Sequence, residues 1–64
     1  MKIYEINEKL YTDIGEKQLY IKNAWKLHNS FHLVHGWHIS KEPISLDAEY
    51  EIMLDKDNTC RIIK

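Results

Sequence analysis

Four histidines lie between residues 28 and 38, and imidazole is both a common metal ligand and a general acid or base. On a helix, His28, His32 and His35 would share one face at a spacing suited to a metal ion. Residues 31–39 instead alternate apolar and polar side chains, which is typical of a strand. On that strand His32 and His38 point outward about 20 Å apart, while His35 points inward. The sequence therefore predicts no metal site.

The remaining reactive side chains form no catalytic pattern. The single cysteine, Cys60, occupies an inward strand position, where cysteine usually acts as a small apolar residue. The chain has no glycine-rich phosphate loop, no nucleophile elbow and no HExxH or CxxC spacing. The sequence predicts a protein that is not an enzyme, with no catalytic residue and no cofactor.

Size and composition restrict the class of protein further. The 64 residues carry a net charge of −1, with 44% apolar and 30% charged residues, as in a folded single domain. No apolar run approaches the roughly 18 residues of a membrane span, and a lone cysteine fits a reducing compartment. We expect a cytoplasmic protein that does not bind membranes. The excess of Ile and Lys over Ala, Gly and Arg is typical of AT-rich genes, such as those of phages and mobile elements.

Residues 3–14 carry apolar side chains at helical spacing. Ile3, Ile6, Leu10 and Ile14 fall within about 80° of one another on a helical wheel, and Gly15 follows, where a helix C-cap belongs. The segment lacks an N-cap residue and has an acidic last turn, both unfavourable for a helix. The sequence favours a helix over about 3–14, with a strand at residues 2–6 as the alternative.

The rest of the chain alternates with period two and predicts strands at about 17–27, 31–39, 44–55 and 59–64. A sheet of this size needs a cover on its apolar face. The predicted fold class is therefore α+β, with the N-terminal helix packed on a four-stranded antiparallel β-meander in one domain of residues 1–64.

Three loops set the register of this meander, because residues opposite each other must face the same side. Loops of three, four and three residues give pairings that keep apolar side chains together. These pairings are Leu27 with Phe31, Ile39 with Ile44, and Leu54 with Cys60. In the same register both tryptophans, Trp25 and Trp37, face the core.

Two polar residues interrupt the inner face and are predicted to lie opposite each other, Asn23 in the first strand and His35 in the second. Ala48 is their small neighbour in the third strand, and Asn7 lies on the covering helix. One interpretation is a buried, hydrogen-bonded pair, because an unpaired polar group there would cost about 1–3 kcal/mol. The alternatives are a polar notch for a ligand or partner side chain, and a bulge at Asn23 that changes the register.

The outward face of the third strand carries the predicted binding site. Its acidic residues stand at intervals of about 6.7 Å, twice the strand rise, and are Asp47, Glu49, Glu51 and Asp55. Such a row could dock on a basic partner surface, or be a solvated face whose charges are matched across strands. The predicted function is a small protein-binding module, of the kind a phage or mobile element uses as a regulator or inhibitor.

The alternative function is weak nucleic-acid binding by the first two strands. Lys22, Lys26 and Tyr20 would form its surface, but two lysines neutralise few phosphates, so nucleic acid is the less favoured partner. A homodimer formed through an unpaired sheet edge is a further expectation.

Overall fold

The chain is an all-β domain without a helix, as a computed structural model describing all 64 residues shows. The predicted α+β fold is therefore wrong. Eight strands form two sheets, one five-stranded and mixed, the other three-stranded and antiparallel. The strands are β1 (Tyr4–Ile6), β2 (Lys9–Ile14), β3 (Lys17–Ile21), β4 (Ala24–Leu27), β5 (Ser30–His35), β6 (His38–Ile39), β7 (Ile52–Leu54) and β8 (Thr59–Ile62). The structure contains no helix that could span a membrane.

The predicted N-terminal helix is instead the hairpin of β1 and β2. Asn7 and Glu8 have φ angles of 48° and 66°, the pair of left-handed residues that a two-residue type I′ turn needs. Thr12 is buried and donates from Oγ1 to the Lys2 carbonyl at 2.6 Å. The segment is rich in Ile, Tyr and Thr, which favour strands, and the strand alternative therefore describes its start correctly.

The five-stranded sheet has the order β1-β2-β3-β8-β7. Neighbouring strands are antiparallel except β3 and β8, which run parallel with Ile21 beside Cys60. The C-terminal strand thus inserts between the N-terminal hairpins and β7, a pairing that a meander does not contain. The predicted meander topology is wrong for this reason.

The predicted strand at 17–27 divides at a turn formed by Lys22 and Asn23, and only its first half, β3, stays in the large sheet. The second half, β4, pairs with β5 so that Leu27 lies opposite Ser30 and Lys26 opposite Phe31. The loop between them is two residues long rather than three. The predicted pairing of Leu27 with Phe31 is one residue out of register, which turns these side chains to different faces.

The predicted strand at 31–39 also divides. Gly36 has a φ of 60°, as the first central residue of a type II′ turn requires, and the turn brings His38 opposite His35. Because the chain reverses here, Trp37 stands in the turn and not in the core, and the predicted pairing of Ile39 with Ile44 is wrong.

The last hairpin agrees with the sequence. Leu54 lies opposite Cys60, as predicted, and Ile52 lies opposite Ile62 in the same register. Asn58 takes the left-handed conformation with a φ of 61°. Only Ile52–Leu54 of the predicted strand at 44–55 is regular, however. Residues 44–51 form an irregular segment.

The core lies between the two sheets. Alternate side chains of β2, β3 and β8 point into it, and Phe31 enters from the three-stranded sheet. The buried apolar residues are Ile3, Leu10, Leu19, Ile21, Phe31, Cys60 and Ile62. Burial raises the pKa of the Cys60 thiol, whose Sγ donates to the Tyr20 carbonyl at 3.5 Å. Cys60 therefore acts as the small core residue that its position predicts.

Candidate protein-binding surface

Three of the four predicted partner-binding acids lie on the irregular segment 44–51. Asp47, Glu49 and Glu51 are exposed, but no strand spaces them along one sheet face. The backbone of Glu51 pairs with the chain end, accepting from the Ile63 N–H at 2.9 Å and donating to the Lys64 carbonyl at 3.0 Å. The regular acidic row that the sequence predicted is therefore not formed.

The fourth acid, Asp55, is engaged within the chain. Its carboxylate lies 3.0 Å from the Lys22 Nζ and accepts from Arg61 at both oxygens, from Nε at 3.0 Å and from Nη2 at 3.1 Å. The side chain is 17% exposed. The hydrogen bond from Lys22 and the Arg61 guanidinium hold the pKa of Asp55 below its ordinary value. Asp55, which directly follows β7, thus links the turn after β3 to β8 through Lys22 and Arg61.

This ion-pair network should make stability fall in acid. Because the pKa of Asp55 is lower in the folded chain than in the unfolded one, the unfolded chain binds more protons as the pH falls below about 4. The network's contribution is complete above that range and is lost as the pH falls through the folded pKa. Urea denaturation midpoints measured between about pH 7 and pH 2 should decline less steeply for Asp55→Asn than for the natural chain. Identical profiles would show that the network does not stabilise the fold.

The two lysines of the nucleic-acid alternative are paired with carboxylates. Lys22 lies 3.0 Å from Asp55 and 3.4 Å from an Asp57 oxygen. Lys26 lies 3.4 Å from Glu8 and 3.6 Å from Glu5, with its Nζ 5.6 Å from the Phe31 ring centroid. Since these charges are compensated, neither lysine offers an uncompensated cation for a phosphate.

The third residue of that alternative, Tyr20, belongs to a row of tyrosines across three strands. The register places Tyr4 beside Tyr11 and Tyr11 beside Tyr20, with ring centroids 6.4 and 5.7 Å apart. The Lys9 Nζ lies 6.0 Å from the Tyr20 ring centroid. These half-buried rings contact one another, and we interpret the row as side-chain packing between neighbouring strands of the sheet.

Asn23 and His35 do not form the predicted pair. Asn23 is buried and binds the Ile62 backbone, donating from Nδ2 to the carbonyl at 2.8 Å and accepting the N–H on Oδ1 at 2.9 Å. His35 lies exposed at the end of β5. Asn23 therefore fastens the turn between β3 and β4 to β8, and neither the pair nor the notch beside Ala48 exists.

The outer face of the three-stranded sheet carries an apolar surface that includes Trp25, Leu27 and Ile39, which the sequence analysis placed in the core. The register sets Trp25 beside His32 and Val34 beside Ile39, while Phe31 faces the opposite way, into the core. We call this surface the Trp25 face; its residues are Trp25, Leu27, His32, Val34 and Ile39. Trp25 is 61% exposed, Ile39 44% and Leu27 38%. The patch is contiguous because its members are neighbours on two strand pairs.

The three-stranded sheet that carries the Trp25 face contains no acidic side chain. Residues 17–41, which include the whole three-stranded sheet, contain no Asp or Glu. His32 is held by a 3.0 Å hydrogen bond between its Nδ1 and the Ser40 carbonyl, and His28 and Lys41 are exposed nearby in sequence. At its other side Trp25 lines a shallow cleft of about 250 Å³ with Glu8, Lys9 and Tyr20. The face is apolar, with no carboxylate on its own sheet and charges of both signs at the cleft.

Comparison with known proteins gives no independent guide to function. No protein-family model, curated protein or solved structure matches the chain. The inference of function depends on the surface itself.

Sequence reasoning missed Trp25, Leu27 and Ile39 as surface residues, although signals were present. A Gly-Trp dipeptide between alternating segments is a type II′ turn signal. Placing a turn at Gly36 divides the long second strand and turns Ile39 outward. The turn at Lys22 and Asn23 has a weaker local signal, since lysine has no special turn preference.

Proposed function

We propose that this chain is a non-enzymatic protein-binding module and that it binds through the Trp25 face. The observation that carries the proposal is the exposure of Trp25, Leu27 and Ile39 on one sheet face in a domain that buries only nine residues. Contiguous exposed apolar patches of this kind are typical of protein interaction sites. Tryptophan in particular is enriched among residues that dominate binding energy.

The partner that fits is a protein with an apolar patch surrounded by acidic side chains. The Trp25 face would pack against the patch, and because the three-stranded sheet carries no carboxylate, acidic side chains of a partner would meet no like charge on it. The sequence instead suggested a basic partner, on the basis of an acidic sheet face. That basis is weakened because Asp55 is engaged and no strand aligns Asp47, Glu49 and Glu51. A regulator or inhibitor role remains compatible with the size and composition of the chain.

Capture and titration test the proposal. The natural chain is immobilised, a protein is captured from a low-GC bacterial lysate, and its affinity is then measured after purification. Trp25→Ser should weaken the purified complex about thirtyfold, since truncating a central tryptophan costs about 2 kcal/mol or more. The double variant Glu49→Lys and Glu51→Lys is the matched control, and its affinity should stay within about twofold because those residues lie outside the Trp25 face.

Three outcomes would contradict the proposal. Loss of the complex in the Glu49→Lys and Glu51→Lys variant, with Trp25→Ser unaffected, would transfer binding to the acidic segment. Retention on immobilised DNA at about 50 mM salt would favour the nucleic-acid alternative. A concentration-dependent dimer in sedimentation equilibrium that Trp25→Ser dissociates would make a second copy the occupant of the face.

A further inference from the structure

The turn at Gly36 and Trp37 places two imidazoles side by side. His35 and His38 are directly opposite each other and flank the turn. Opposite residues of an antiparallel pair project to the same side, and next to a two-residue turn their Cα atoms are about 5.5 Å apart. Two imidazole nitrogens bound to one ion at about 2.1 Å lie about 3.4 Å from each other at the tetrahedral angle. Side-chain rotation alone can bring the two rings to that separation.

Both imidazoles are available to a ligand. His35 and His38 are exposed, and neither ring takes part in a hydrogen bond or an ion pair within the chain. His32 differs, because its Nδ1 is bonded to the Ser40 carbonyl. Trp37, between the two histidines, is fully exposed, so no side chain covers the tip of the hairpin.

We propose that His35 and His38 form a two-imidazole site for a divalent late transition metal ion. No third His, Cys, Asp or Glu joins them in a cluster, so water would fill the remaining coordination positions. Imidazole suits Zn²⁺, Ni²⁺ and Cu²⁺, whereas Mg²⁺ and Ca²⁺ require oxygen ligands. The hairpin contains no carboxylate, and the site therefore discriminates against those two ions. The proposal is independent of binding at the Trp25 face.

The turn at Gly36 changes the placement of these two histidines from the one that the sequence predicted. On one continuous strand, His35 and His38 would lie on opposite faces, because an odd separation changes the face. The reversal at Gly36 removes that restriction. Two ligands three residues apart in sequence thus become cross-strand neighbours.

Calorimetric titration of the untagged chain with Zn²⁺ at about pH 7.5 tests the site. One ion should bind per chain, and His35→Ala and His38→Ala should each weaken binding tenfold or more, on the order of the advantage of joining two donors in one molecule. His28→Ala is the matched control, since His28 is an exposed turn histidine outside the pair, and should bind as the natural chain does. Mg²⁺ should give no heat of binding.

A further measurement locates the ion. Zn²⁺ should shift the amide NMR signals of residues 35–38 and leave those of the N-terminal hairpin unchanged. Both alanine variants should keep the natural NMR spectrum elsewhere, since the residues are exposed. Equal Zn²⁺ affinity in the natural chain and in the double variant His35→Ala and His38→Ala would overturn the proposal, as would loss of binding in His28→Ala.

Discussion

Replacing Asn23 with leucine should lower the free energy of unfolding by roughly 2–4 kcal/mol, because two buried backbone groups lose their partners. The Asn23 amide satisfies both the N–H and the carbonyl of Ile62, at 2.9 and 2.8 Å. Leucine has nearly the same size but can neither donate nor accept. Urea denaturation followed by circular dichroism measures the change. In a domain of this size such a loss is a large part of the total stability.

A second variant separates hydrogen bonding from packing at this site. In Asn23→Asp, the ionised carboxylate can accept the Ile62 N–H but faces the Ile62 carbonyl with no proton to donate. The protonated acid can make both bonds, as asparagine does. The deficit relative to the natural chain should therefore be smaller at about pH 4 than at pH 7.

Asn29→Ala is the control for these two variants. Asn29 is an exposed turn residue, and its replacement should change stability by about 0.5 kcal/mol or less. If Asn23→Leu were as stable as Asn29→Ala, the link between the turn and β8 would contribute nothing to the fold.

Shortening Ile62 to alanine should cost about 2–5 kcal/mol, the usual range for emptying a packed core position. Ile62 is completely buried in the cluster where the two sheets meet. Its neighbour Ile63 has the same side chain but is 51% exposed. Ile63→Ala is thus a matched control, expected to cost less than about 1 kcal/mol. The difference in urea midpoint between the two variants measures the burial at one position of β8.

Similar losses in the two variants would contradict the burial of β8. A dimer that covers Ile63 would also bring the two values together, and sedimentation of the natural chain distinguishes that case. This comparison tests the position of β8 between β3 and β7, from which Ile62 enters the core.

The N-terminal segment shows why the sequence misled at the level of fold class. Its apolar residues satisfy a helical period, yet Leu10, Thr12 and Ile14 also satisfy the strand period once Thr12 is counted as buried. A threonine hydroxyl that finds a backbone carbonyl can occupy a core position. The partner of Thr12 is Lys2, across the hairpin, and composition alone does not reveal that contact.

The predicted regular spacing of the acidic residues was wrong for a related reason. Alternation over residues 44–55 is a sound strand signal, but a strand also needs a neighbour to accept its backbone hydrogen bonds. In this part of the chain, the C-terminal residues form backbone hydrogen bonds with Glu51 and with β7, and not with Asp47 or Glu49. Asp47 and Glu49 therefore lie on an irregular path, and Asp55 is drawn into contact with Lys22 and Arg61.

The sequence by itself determined the local features. The hairpin of β7 and β8, its register, the left-handed Asn58 and the inward positions of Cys60 and Ile62 all follow from alternation and turn chemistry within a dozen residues. Tertiary structure alone decided where the longer strands divide and which sheet each half joins. The turn at Asn23 is stabilised by Ile62, 39 residues away, and β8 pairs with β3 across most of the chain. Local sequence propensity does not predict such contacts, because they stabilise the fold only after distant segments of the chain have come together.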